Sequence, residues 1–288
     1  MRRAVPALVM GLAAVVAAVC AGCTPKGETL GDPQAMMIRF EQGGGQVPWP
    51  LPLAYLVDGR LYTPAPEADP VPPLEFVPVL ARVQSRPVAA ETIRRWVKTL
   101  RDAGVENGSD WNIPDLMDAS SVGVVLDDGT GPVTTSIYGL GDEEFAGDAV
   151  PRGQRAGRRE ITSVLDEMMA ASPEAKPLEP TTVLLRSTVL MAEDAALRTS
   201  APWPGPPLGI GPTRSNGVQH FSCTEVDAAG VAMLLPRLRR APGPTAWVDA
   251  GVSYRVHLRP RLPKESGCLR ADPTPVATVP PNSRAPSS

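Results

Sequence analysis

Ala54-Tyr55-Leu56-Val57-Asp58-Gly59-Arg60-Leu61-Tyr62-Thr63 decides the fold class. Two short apolar, β-prone runs flank Asp-Gly, the dipeptide that a two-residue hairpin turn favours because both central positions need positive φ. The same grammar recurs twice. Val122 to Leu126 and Val133 to Tyr138 enclose Asp127-Asp128-Gly129-Thr130-Gly131. Thr245 to Val248 and Val252 to Leu258 enclose Asp249-Ala250-Gly251. Antiparallel hairpins therefore organise the chain.

Helices lie between them. Ile93, Trp96, Val97 and Leu100 recur at helical spacing, with Arg94, Arg95, Lys98 and Arg101 on other faces and Gly104 as a stop. A second helix is predicted over about 154–171, with Ile161, Val164, Leu165, Met168 and Met169 inward. A third is predicted to start with Thr224 as its cap and to carry Val231, Leu234, Leu235 and Leu238; Pro236 kinks it or ends its regular bonding. The predicted class is α+β: antiparallel hairpins and sheets covered by about three helices. Met36 to Glu41 and Thr182 to Leu190 read as the first strands of two halves.

The halves echo each other. Val47-Pro48-Trp49-Pro50 matches Ala201-Pro202-Trp203-Pro204, and the set Ile93, Trp96, Val97, Leu100 maps at one constant offset onto Val231, Leu234, Leu235, Leu238. Each helix is followed by a hairpin. A repeat of strand, Pro-Trp-Pro segment, helix and hairpin is one reading; coincidence of amphipathic spacing is the other.

The first residues address the protein. Arg2-Arg3 precedes an apolar run, Ala4 to Val19, which falls short of the roughly 20 residues that a spanning helix needs. Ala21-Gly22-Cys23 and a polar stretch follow. The pattern resembles a bacterial lipoprotein signal, in which Cys23 is lipidated and becomes the mature N-terminus, although Cys20 stands where such signals usually carry Leu. The alternative is an ordinary secretory signal cut near Ala21 or Gly22. General secretion fits the residues after Arg2-Arg3 better than twin-arginine export does. The predicted layout is signal peptide 1–22, lipidated tether 23–35, first half 36–171, linker 172–181, second half 182–271 and a Pro/Ser-rich disordered tail 272–288. The implied location is the cell membrane, lipid-anchored, on its extracytoplasmic face.

Composition narrows the class. A 43% hydrophobic share supports a core, while 34 prolines limit long regular elements. The formal charge is −3, and no basic patch stands out, so nucleic acid is not an expected partner. With Cys20 in the signal and Cys23 lipidated, Cys223 and Cys268 remain to pair in an oxidising compartment. Their loop of about 46 residues corresponds to roughly 4 kcal/mol in the chain-entropy model. The competing readings are a metal pair, poorly served by only His220 and His257, and a Cys–His nucleophile, which needs a free thiol.

The Asp58-Gly59-Arg60 turn, the Pro-Trp-Pro segment before a lone Cys, and the ending Arg259-Pro260-Arg261-Leu262-Pro263-Lys264-Glu265-Ser266-Gly267-Cys268 resemble an uncharacterised family of actinobacterial secreted proteins and lipoproteins. The resemblance covers about Met36 to Cys268. It implies fold and export but brings no substrate, cofactor or catalytic residue.

The sequence carries no nucleophile elbow, phosphate loop, zinc-binding His pair or Ser-x-x-Lys. No cofactor or metal is predicted. Asp142 to Asp148 reads as a solvated acidic turn. His257, alternating with Val256 and Leu258, is predicted to face solvent or a polar neighbour. Trp49 and Trp203 are the candidate recognition residues, rigid knobs held between prolines; the reading preferred on the average behaviour of Trp places each in its own core. The expected role is non-catalytic binding or scaffolding, with the membrane through Cys23 and an envelope protein or glycan as partners. The alternative is an envelope hydrolase using unidentified carboxylates.

Overall fold

Tyr55 pairs with Tyr62 and Val57 with Arg60 across the Asp58-Gly59 turn, where both residues take positive φ, 50° and 68°. This is the hairpin that Asp-Gly favours, and it sits at the middle of the larger of two sheets. The structure is a computed structural model that describes residues 31–43, 52–65, 81–113, 116, 119–210, 213–215, 220–238, 245–265 and 267–268. The signal and Cys23, the Trp49 segment, most of the Pro-rich loop after Pro64 and the tail 272–288 lie outside the described residues.

The first half runs β1 (Met37–Gly43), β2 (Ala54–Val57), β3 (Arg60–Pro64), β4 (Val83–Pro87), α1 (Ala90–Asp102), β5 (Ser121–Asp127), β6 (Val133–Tyr138), the short α2 (Glu143–Ala146), α3 (Arg155–Met169) and β7 (Lys176–Pro177). The second runs β8 (Thr182–Val189), α4 (Ala192–Ala196), β9 (Thr199–Pro202), β10 (Thr213–Ser215), β11 (His220–Asp227), α5 (Ala228–Leu238), β12 (Thr245–Asp249) and β13 (Val252–Pro260). Sheet one has the order β6-β5-β1-β2-β3-β4-β7, and sheet two β10-β11-β8-β13-β12-β9. All these pairs are antiparallel except β9 with β12. The class is α+β.

Period-two burial explains the layers. In β1, Ile38 and Phe40 are fully buried while Arg39 lies on the other face. α3 packs on β2 and β3 and beside α1. The two helices are tied by Glu167, which takes bonds from both Arg95 terminal nitrogens and from Trp96 Nε1. Those donors, Arg95 first, hold its carboxyl down at about 2. In sheet two, Val183, Leu185, Val226, Tyr254, Val256 and Leu258 form one core with Val231, Leu234 and Leu238 of α5.

The opposite face of sheet one is closed by the second half. Leu262 packs with Tyr55, Val57, Tyr62 and Val83. Tyr55 Oη donates to the Pro263 carbonyl at 2.8 Å, and Lys264 Nζ pairs with Asp58. Glu265, buried beneath, receives Arg259 Nη1 on both oxygens at 2.9 and 2.7 Å and the Leu262 N–H at 2.8 Å. Arg39 Nη2 lies 3.5 Å away.

Several expectations need correction. The stretch 172–181 is not a bare linker: Lys176–Pro177 pair with β4, and Leu178 packs on the Tyr55 cluster. The tether ends before 35, since Pro33 is buried and Ala35 N bonds the Asp32 carbonyl. Thr224 is not a cap. Strand pairing with β8 carries β11 on to Asp227, whose Oδ1 caps α5 through Gly230 N. α5 runs on through Pro236 to Leu238, the last residue described there. Met168 is fully buried, but Met169 is 47% exposed, one position further around α3. Part of the acidic turn is the short helix α2.

The repeat does not extend to topology. β1 is flanked by β2 and by β5, the first strand after α1. β8 is flanked by β11, the strand before α5, and by β13, the second strand after it. The shared helix spacing reflects one task, covering a sheet, done in two different connections.

Glu265→Ala would leave Arg259 buried without its carboxylate. The expected loss is about 3–5 kcal/mol. Chemical denaturation of the variant beside the wild type measures it.

Candidate functional site

Strands β11, β8 and β13 present a second face, away from α5. Register places Cys223 opposite Arg186 and Arg186 opposite His257. Phe221 of β11 and Arg255 of β13 share that face by period-two alternation. Cys223 is bonded to Cys268, with Cα atoms 5.5 Å apart, and the pair packs against Leu184. In this bonded form neither sulfur is a thiol, so the Cys–His nucleophile has no nucleophile here.

Arg186 is 2% exposed. Its guanidinium carbon stands 3.7 Å from the centroid of the Phe221 ring, a close cation–π stack. Among the described residues, Nε and Nη2 of Arg186 are buried and have no hydrogen-bond partner. Burial, with the charge of Arg255 adding to it, lowers the Arg186 pKa to about 10, so it remains a cation near neutral pH. His257 Nε2 is likewise buried and unpartnered. Burial foremost, then Arg186, Arg255 and Arg198, pushes the His257 pKa down to about 4. Arg255 lies within electrostatic reach of Arg198 and of Asp194 on α4. α4 packs against β13 and β9.

Two other buried arginines show what is normal. Arg158, fully buried, donates through Nε to Gln154 Oε1, through Nη1 to the Tyr138 carbonyl and through Nη2 to the carbonyls of Trp111 and Tyr138. Arg259 holds Glu265. Buried charges are almost always paired in this way, and an exception calls for a physical explanation. Arg186 is the exception among these three.

The candidate residues named from sequence fall elsewhere. Trp203 is not an exposed knob. It is 9% exposed, sits edge-on to Trp247 at 5.3 Å, and donates Nε1–H to the Pro206 carbonyl at 2.7 Å. A large ring between prolines has been used here to close the core over α5. Trp49 and Cys23 lie outside the described residues. His257 is half-buried with Nε2 inward and has the polar neighbour expected of it, Arg186, opposite in register. Arg186 itself was missed. The signal was an arginine inside Val183-Leu184-Leu185-Arg186-Ser187-Thr188-Val189, a strand whose apolar run implies burial on both faces. The alternation of Arg255, His257 and Arg259 with apolar residues was a second signal.

Other places offer less. A surface depression of 180 Å³ lined by Thr63, Gln84, Ser85 and Arg86 encloses no room for a water molecule. Among the described residues no group of three His, Cys, Asp or Glu is placed to hold a metal ion, and no helix is long and apolar enough to cross a membrane. Compared with known proteins, the chain matches no family model, no curated protein and no solved structure.

Two measurements follow from this geometry. Trp203→Ala removes a ring from the α5 core and is expected to cost about 3–5 kcal/mol, read from denaturation curves. For His257 the folded pKa is depressed, so the unfolded chain takes up its proton first as pH falls. Stability is expected to decline from about pH 6.5 to about pH 4, by at most on the order of 3 kcal/mol from this group. His257→Gln should flatten that part of the pH profile.

Proposed function

We propose that the protein is exported, lipidated on Cys23 and held on the extracytoplasmic face of the cell membrane, where it binds rather than catalyses. The observation that carries the binding role is how the buried carboxylates are used. Among the described residues these are Asp128 and Glu265. Asp128 receives the N–H and hydroxyl of Thr130 and pairs with Arg101. Burial works to raise its pKa, and those bonds and that charge outweigh it. Glu265 holds Arg259 and the Leu262 N–H. Both carboxylates are committed to the fold, which leaves them unavailable as a general acid and base.

Export is supported by the Cys223–Cys268 bond, since structural disulfides persist in oxidising compartments. The small residues before Cys23 and the polar stretch after it support the anchor. A single acyl chain binds a membrane only marginally, whereas the several chains of a lipoprotein modification hold firmly.

Cys23→Ala tests the anchor. The variant is expected to leave the membrane fraction or to stall with its signal attached. A wild-type N-terminus carrying no lipid, with membrane fractionation unchanged in the variant, would overturn it.

A further inference from the structure

We propose that the outer face of sheet two, centred on Arg186, binds the phosphoryl dianion of a small molecule. This gives the binding role above its ligand and rests on that reading.

The argument starts from the two idle donors. Nε–H and the adjacent Nη2–H of an arginine point in parallel and form one edge of its fork, the edge that meets two oxygens of a phosphate or carboxylate at once. In Arg186 both donors of this edge are buried and unpartnered among the described residues, while the guanidinium plane stacks on Phe221 at 3.7 Å. A rigid, desolvated, unpaired cation is costly to the fold unless something pairs with it. The same group is what an anion site needs: a positioned donor pair in a low dielectric, with no reorganisation on binding.

Charge selects the class of anion. Arg186, Arg255 and Arg198 act together on this face, and Asp194 on α4 is the carboxylate among them. Among the described residues, Glu225 further along β11 is taken by Arg261 and the Cys268 N–H, so three guanidinium groups against Asp194 leave a surplus that suits a dianion better than a monoanion. His257 is neutral near pH 7 and carries an unpartnered Nε2 beside Arg186. As the Nε2–H tautomer it can give a further hydrogen bond to a phosphoryl oxygen. The disulfide at Cys223, in the same cross-strand row, ties β11 to the segment beyond β13 at Cys268 and so stiffens the strand that carries Phe221.

The test uses the full chain and inorganic phosphate, with acetate at matched ionic strength as the monoanion. Two readouts serve: the melting temperature, and the His257 ring resonances, which are simple to assign because the chain has only two histidines. Phosphate is expected to raise the melting temperature, as a ligand of the native state must, and to shift the His257 signals saturably. Arg186→Met should melt higher than wild type in phosphate-free buffer, because an unpaired buried charge has gone. It should bind phosphate at least about tenfold more weakly, the loss expected for a charge-assisted bidentate contact. Should Arg186→Met not fold, Arg186→Lys keeps the charge, removes the fork and should likewise lose the response.

A soluble short-chain phosphatidate separates the sources of phosphoryl. Tighter binding than inorganic phosphate assigns the site to a lipid headgroup, and equal binding assigns it to a soluble phosphoryl compound. Three results would overturn the proposal: no phosphate response in the wild type, acetate binding as well as phosphate, or a lowered melting temperature of Arg186→Met with the phosphate response intact. None of them bears on Cys23, whose fractionation test stands separately.

Discussion

The buried carboxylate of Glu265 is the contact on which the arrangement of the two sheets depends. It sits just beyond β13, on the short segment that leaves sheet two and crosses the outer face of sheet one. Arg259 approaches from the strand behind it and Arg39 from the sheet below. Burying such charges costs several kcal/mol per ion, and only good geometry with extra hydrogen bonds offsets that. Here the extra bond is Leu262 N–H, which also fixes Leu262 over Tyr55 and Tyr62. Three residues further on, Cys268 is bonded back to β11. The segment is therefore held at both ends and buries apolar surface in between. Removing the carboxylate would take away the Arg259 pair and the Leu262 bond together, while the disulfide would still hold the far end.

That segment also explains why the two sheets end with different outer faces. On sheet one it supplies an apolar cover. On sheet two the outer face carries Phe221, Arg186, Arg255 and His257 instead of a second apolar layer. Among the described residues three arginines are deeply buried, and the fold treats them differently. Arg158 joins α3 to the end of β6 and to Trp111 by donating to carbonyls. Arg259 is neutralised by a carboxylate. Arg186 has an aromatic plate and like-charged neighbours. A cation–π contact contributes about 2 kcal/mol when desolvated, well short of the cost of burying an unpaired ion. Arg186 is thus not placed where it is by what it contributes to stability.

The legible part of the sequence was the part governed by local chemistry. Asp58-Gly59 set a hairpin because few other dipeptides accept two positive φ values, and the α1 stripe of Ile93, Trp96, Val97 and Leu100 is buried as its spacing requires. Contacts that depend on distant chain were not legible. Lys176–Pro177 and Thr199–Pro202 are edge strands rich in proline or polar residues, and only their neighbours' unpaired backbone makes them strands. Thr224 has the chemistry of a cap, but six consecutive pairings with β8 outweigh one side-chain bond. The apparent repeat failed for a related reason: helical spacing records that a helix covers a sheet, not which strands it connects. The candidate site lay in the same blind spot. Arg186 and His257 are distant in sequence, and only the register of β8 against β13 puts them side by side.

That register also determines what the face can do. An imidazole alone on a strand would titrate near neutrality and add its charge as pH falls. Beside three guanidinium groups and out of water it stays neutral down to about pH 4, so the charge of the face is set by arginines that never lose theirs at ordinary pH. An anion arriving there would reverse the argument for His257. Its own charge would cancel the arginine field that disfavours the imidazolium, and protonation would become easier in the complex than in the free protein. By linkage, whatever raises that pKa must itself bind more tightly as the imidazole gains its proton. The intrinsic attraction of this face for a dianion therefore grows as His257 gains its proton, and protonation of a phosphoryl ligand itself, with a second pKa of about 6, opposes it.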